Sequence, residues 1–205
     1  IERNGLCIDT RDVEKKITDN TVAIIPVNVY GNPPKFDELH RISKEHGIPV
    51  IYDAAHAAFT KFDGESSFVQ GKMSTTSFHA TKLLNTCEGG ACITDDDEFA
   101  ETIRSLRYFG FNSEGDLASI GTNAKMTEIN AAVGLCCLDS ISEIMRKREL
   151  LADEYRNGIS PIEGIESLEF EDIRFTTNNL YLPILAKSKT LAETIMEIME
   201  KNNKN

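Results

Sequence analysis

The 205-residue chain is short of basic residues: twenty-two Lys and Arg stand against thirty-three Asp and Glu, a formal net charge of -11. An acidic surface repels phosphate backbones and anionic bilayers, so neither nucleic acid nor a membrane is an expected partner. The chain also lacks any apolar run near the roughly 20 residues that a membrane helix needs. Its start, Ile1-Glu2-Arg3-Asn4-Gly5, has no signal-peptide pattern, and a soluble cytoplasmic protein is the expectation. The five cysteines, Cys7, Cys87, Cys92, Cys136 and Cys137, are odd in number and have no C-x-x-C spacing. That argues against a disulfide framework and against a zinc site, and no metal is expected. Cys136 and Cys137 follow the apolar stretch 131–135, where a thiol behaves as a small hydrophobe, so buried free thiols are expected. No G-x-G-x-x-G and no G-x-x-x-x-G-K follows a strand-like run, which removes the usual nucleotide-binding signals. No internal repeat is visible.

What the chain does have is alternation. A hydrophobic content of 40% is that of a globular protein able to bury one core, or one domain and part of a second. Short apolar runs alternate with amphipathic stretches, the pattern of a largely parallel sheet with flanking helices. Residues 21–27 read as a buried strand, and Pro33-Pro34 as the entry to a helix over 36–46 with Phe36, Leu39 and Ile42 on one face. Gly47 ends that helix, and a strand over 48–52 closes at Asp53. Further strands are predicted at 73–78, leading to Lys82, and at 89–94. Asp95-Asp96-Asp97 opens a helix with Phe99, Ile103 and Leu106 on one side, an acidic start that suits the helix dipole. A buried helix follows Thr127-Glu128, and a longer charged helix over 140–156 is suited to joining two domains. Beyond Gly158 come one strand, 179–185, and one helix, 191–201, with Lys201 to Asn205 as a frayed or cut end. These patterns divide the chain into part of a large domain, 1–157, and an incomplete small C-terminal domain, 158–205.

Two residues carry chemistry. Asp53 ends an apolar strand amid small neighbours, Ala54-Ala55-His56-Ala57, and Lys82 follows a later strand in Ser77-Phe78-His79-Ala80-Thr81-Lys82. Alone, the aspartate reads as a helix cap or turn residue and the lysine as a solvated surface charge. Together, at the carboxyl edge of an α/β sheet, they offer an acid for a pyridine nitrogen and an amine for an aldehyde, the needs of pyridoxal phosphate. Ser77, Thr81 and a flexible turn, Asn85-Thr86-Cys87-Glu88-Gly89-Gly90, could serve a phosphate, and a desolvated lysine is a nucleophile at neutral pH.

These strings, with Gly121-Thr122-Asn123-Ala124-Lys125-Met126-Thr127-Glu128 after them, resemble the pyridoxal-phosphate-dependent sugar-nucleotide aminotransferases of the DegT/DnrJ/StrS type. The resemblance is in order and spacing, from about Ile8 to Ile184. It implies the aspartate aminotransferase fold, fold type I: an α/β large-domain core of mostly parallel sheet, and the start of a smaller α/β domain. It implies that Lys82 holds pyridoxal 5'-phosphate as a Schiff base and shuttles the proton, and that Asp53 faces the ring nitrogen. His56 would lie beside the ring hydroxyl, Ser77 would bind the phosphate, and Asn123 would reach the cofactor of a partner subunit in a homodimer with shared sites. The implied reaction moves an amino group from an amino acid, usually glutamate, to a nucleotide-linked keto-sugar.

Some residues keep a second reading. His56 could be a core histidine, His79 reads as structural, and Arg104 and Arg107 could steer a phosphorylated substrate or simply lie on a solvated helix face. A nucleotide-sugar dehydratase, which in this family carries histidine for the lysine, is disfavoured by Lys82. The chain is shorter than members of the family, without their preceding cofactor cradle and their final small-domain segment. It is therefore expected to be a fragment that binds cofactor weakly and turns over poorly, or an inert remnant that pairs with a complete subunit.

Overall fold

Leu39 and Ile42, with Phe36 a turn before them, point one stripe of a helix inward, and that stripe founds the core. The computed structural model describes residues 1–3, 5–168 and 172–202. Helix α1 (Thr10–Lys16) is capped by the Asp9 carboxylate, which accepts from Arg11 N–H. Helix α2 (Phe36–His46) ends, as its glycine predicts, with Gly47 in the left-handed region. Val13, Ile24, Phe36, Leu39, Ile42, Ile48, Val50, Tyr52 and Phe62 form the buried cluster between these helices and the sheet. The Phe36 ring meets those of Tyr52 and Phe62 edge-on, at 5.2 and 5.0 Å.

The central sheet has strand β1 (Ile51–Asp53) beside β4 (Met73–Ser77), with β5 (Gly90–Ile93) outermost. The β1–β4 pairing is parallel and sets Asp53 opposite Thr75, whereas β4–β5 is antiparallel and sets Ser77 opposite Gly90. Residues 21–27 run parallel to β1, with Ile24 opposite Val50 and Val27 opposite Asp53. They form bridges instead of a continuous strand because Pro26 has no N–H for the ladder, although its carbonyl accepts from Asp53 N–H at 2.9 Å. Nor is this segment buried throughout: Ile24 and Pro26 face the core, Ile25 and Val27 alternate to the exposed side, and Val22 is exposed ahead of the pairing.

A hairpin of β2 (Lys61–Phe62) and β3 (Glu65–Ser66) takes β7 (Phe175–Thr176) as a third, antiparallel strand. Helix α3 (Asp97–Arg107) starts at Asp96, whose carboxylate accepts from Phe99 N–H at 2.9 Å, in keeping with the acidic start. Helices α4 (Glu128–Asp139) and α5 (Ile141–Ile159) follow, then β6 (Ile165–Ser167), its antiparallel partner β8 (Ile184–Ala186), and α6 (Lys189–Asn202). The expected end at 201–205 falls mostly on residues 203–205, outside those described. Among the described residues, no helix is long and apolar enough to cross a membrane.

Three further expectations are corrected. Helix α4 buries only Gly134; Ile129, Leu135 and Leu138 are exposed, since only the side facing Thr86 meets another element closely. The strand expected over 179–185 is confined to β8, because the carbonyls of Asn179 and Leu180 accept from Arg148 instead of a strand. Of the cysteines only Cys7 is buried, while Cys87, Cys92 and Cys136 are exposed. Burial pushes the Cys7 thiol up to about 11. An alkylating reagent at neutral pH is expected to modify Cys87 and Cys92 well before Cys7. Mass spectrometry of the timed digest checks this, and early labelling of Cys7 would contradict it.

Candidate active site

Three elements bring the chemical residues together. Asp53 ends β1 and Ser77 ends β4; with Thr75 between them in register, all three alternate onto the same, half-exposed face of the sheet. Asp53 Oδ1 accepts from Ala55 N–H at 3.2 Å, which turns the chain back over the strand end and leads it to His56. The Ser77 hydroxyl accepts from His79 N–H at 3.3 Å, opening the turn that carries Lys82, whose own N–H donates to His79 O at 2.9 Å.

That turn is anchored rather than flexible, contrary to the expectation for residues 85–90. Leu83 and Thr86 are buried, Thr86 Oγ1 donates to Glu88 O at 2.8 Å, and Thr86 N–H donates to Phe78 O at 2.9 Å. From α4, the Asn130 amide donates to Thr86 O at 2.7 Å and to Glu88 O at 2.8 Å. The Lys82 turn is thus held at its root by backbone carbonyls that a distant helix satisfies.

The electrostatics tie the group together. Burial lowers the tendency of His56 to take a proton; the Lys82 ammonium pushes the same way and the Asp53 carboxylate opposes it. His56 therefore lies within the fields of both Lys82 and Asp53. Two aromatic rings, absent from the sequence reading, close around the imidazole. Tyr30 stacks near-parallel to it at 6.4 Å, and Tyr181 lies tilted at 4.8 Å. Tyr30 sits at positive φ directly before Gly31. Gly31 itself has φ +87, and a Cβ there would come 2.8 Å from His56 O and 3.2 Å from Asn178 Oδ1. Gly31→Ala is expected to destabilise the fold by about 1–3 kcal/mol, read as a lower urea midpoint. An unchanged midpoint would show that the loop gives way without strain.

Asn123 is not part of this group. It is exposed, in a hairpin where it pairs antiparallel with Tyr108 and where Gly110 and Gly121 cross too closely for side chains. Lys125 in the same hairpin lies over the Phe109 ring at 4.3 Å. Arg104 pairs with Glu101 at 2.6 Å along α3, which favours the solvated-face reading for it.

The donor set suits pyridoxal phosphate. An acid closes one strand, a hydroxyl stands on the same face, an amine follows in the next turn, and the small, half-exposed Ala55 adds no bulk beside the acid. The profile of the DegT/DnrJ/EryC1/StrS aminotransferase family matches residues 1–205.

The chain belongs to this family.

It is 39% identical over 178 residues to a Shigella dysenteriae protein named dTDP-4-amino-4,6-dideoxy-D-glucose transaminase, covering 87% of this chain and 48% of that one. A protein of the same name from Escherichia coli is 35% identical over 207 residues, covering 99% and 55%. Among solved structures, DesI in the presence of its TDP-sugar product superposes with a TM-score of 0.89 at 33% identity, over 98% of this chain and 52% of that one. Helicobacter pylori PseC, an aminotransferase involved in the biosynthesis of pseudoaminic acid, gives 0.90 at 29% identity, over 98% and 56%. The family's fold type I is therefore the fold of this chain, which spans about half the length of these relatives.

Proposed function

We propose that this chain forms the lysine-bearing part of a pyridoxal-phosphate-dependent aminotransferase that acts on a nucleotide-linked keto-sugar. The observation that carries the reading is the placement of Asp53 and Ser77 at neighbouring strand ends on one face of the sheet, with the turn that bears Lys82 opening directly from Ser77. The relatives named as sugar transaminases support the substrate class. Residues 158–205 are read with it as the beginning of the small domain.

In this reading Lys82 Nζ would hold the aldehyde end of the cofactor, Asp53 the ring nitrogen, His56 the ring hydroxyl and Ser77 the phosphate. When bound, the cofactor supplies an electron sink for the pair left when a proton leaves the donor's α-carbon. The Asp53 carboxylate keeps the ring nitrogen protonated. Lys82 Nζ would take that proton as general base and return it as general acid. Its neighbourhood suits both roles, because the anchored turn limits the amine's travel. Glutamate is the proposed donor. Asn123, outside the cluster, is assigned to the cofactor phosphate of a second copy, which makes the working unit a homodimer.

Adding pyridoxal phosphate to the product of the full reading frame is expected to give visible absorbance, and glutamate is expected to bleach it. No absorbance sinks the cofactor reading. Bleaching by alanine or aspartate but not by glutamate sinks the donor.

A further inference from the structure

His56 stands on a stretch that a residue far along the chain holds in place. Asn178 is wholly buried; its Nδ2 donates to His56 O at 2.7 Å and to Ala58 O at 2.9 Å, and its Oδ1 accepts from Leu180 N–H at 2.9 Å. One amide thus satisfies two carbonyls on one segment and an N–H on another, a combination that neither Ala nor Asp can reproduce. Beyond it, Asn179 O and Leu180 O accept from Arg148 Nη1 at 3.4 and 3.3 Å, and Asn179 Oδ1 from Arg156 Nη2 at 2.8 Å. Both arginines belong to α5. The next residue is Tyr181, whose ring lies 4.8 Å from that of His56 and 5.5 Å from that of Tyr30. The absence of a Cβ on Gly31 is what lets Asn178 and the His56 carbonyl sit so close.

We propose that Asn178 is a positioning residue of this site: it fixes the backbone of His56 and delivers Tyr181 onto the imidazole, linking α5 to the edge that carries Asp53 and Lys82. The inference rests on the function proposed above. Asn178 touches no reacting atom and acts through His56, whose charged or titratable neighbours are Lys82, Asp53, Tyr30 and Tyr181.

The test uses the full-reading-frame protein with 15N-labelled histidine, His56 being assigned by its loss in His56→Gln. Asn178→Ala and Tyr181→Ala are both expected to raise the pH at which His56 titrates, because solvent enters where Tyr181 stood. Asn178→Ala is further expected to lower kcat about 100-fold with KM little changed, as a misplaced group does, and Tyr181→Ala about tenfold. A folded Asn178→Ala protein whose His56 titrates as in the parent overturns the proposal. If Asn178→Ala does not fold, Tyr181→Ala, which leaves the amide bonds intact, decides: an unmoved His56 there overturns it too. The titration is read without cofactor. A shifted His56 in a protein that gives no visible absorbance would therefore reject the proposed function and keep the clamp, whereas absorbance with an unmoved His56 would reject the clamp alone.

Discussion

In the proposed function one amine serves both as covalent anchor and as acid-base group, so Lys82→Ala is expected to abolish any visible absorbance with pyridoxal phosphate and to lower transamination by about 10⁴-fold or more. The turn around it should survive the change. Its bonds run through the Lys82 and Thr86 N–H groups and the carbonyls that Asn130 satisfies, none of which uses the lysine side chain. Thermal unfolding of the variant should therefore match the parent while the spectrum is lost. Absorbance that persists without Lys82 would remove it from the mechanism, and a large loss of stability would assign it to the fold instead.

Asp53→Asn has the second-largest expected effect, about 10² to 10³-fold on turnover, the scale for removing one preorganised electrostatic partner. The amide keeps the shape of the carboxylate, and its oxygen can still accept from Ala55 N–H, so the return of the chain toward His56 is retained. What it loses is the negative charge that keeps a pyridine nitrogen protonated. The variant should still bind cofactor through Lys82, with a changed spectrum and slow bleaching by glutamate. Full turnover in Asp53→Asn would show that the charge is not used. The same substitution removes the negative charge that opposes the lowering at His56, so His56 should titrate at still lower pH.

Much of this site was legible in the chain because its parts are local. Asp53 and Lys82 each end or follow a short strand, and the acid-to-imidazole interval lies within a single turn, so period and turn chemistry suffice to place them. Helix α2 could be read from Phe36, Leu39 and Ile42 and from its glycine stop, since both signals depend on backbone geometry alone. Local pattern failed where burial was at issue. Apolar composition suggested that α4 and residues 21–27 were buried throughout, but what covers a face is decided by the elements packed on it, and only Gly134 of α4, and Ile24 and Pro26 of 21–27, are fully buried. The strand expected over 179–185 failed for a related reason: arginines on α5 take carbonyls that a ladder would have needed.

By itself, the sequence determined the candidate site residues and the order in which the chain presents them: Asp53, then His56, then Ser77 and Lys82. It also determined the family, whose profile runs the length of the chain. Only the tertiary structure decided that Tyr30 and Tyr181 enclose His56, that Asn178 reaches back across 122 positions to hold it, and that Asn130 anchors the lysine turn. The physical reason is range. A strand end or a helix stop is fixed by dihedral preferences within a few residues, whereas an amide that bonds carbonyls a hundred residues away has no local signature. Its partners exist only once the segments are packed.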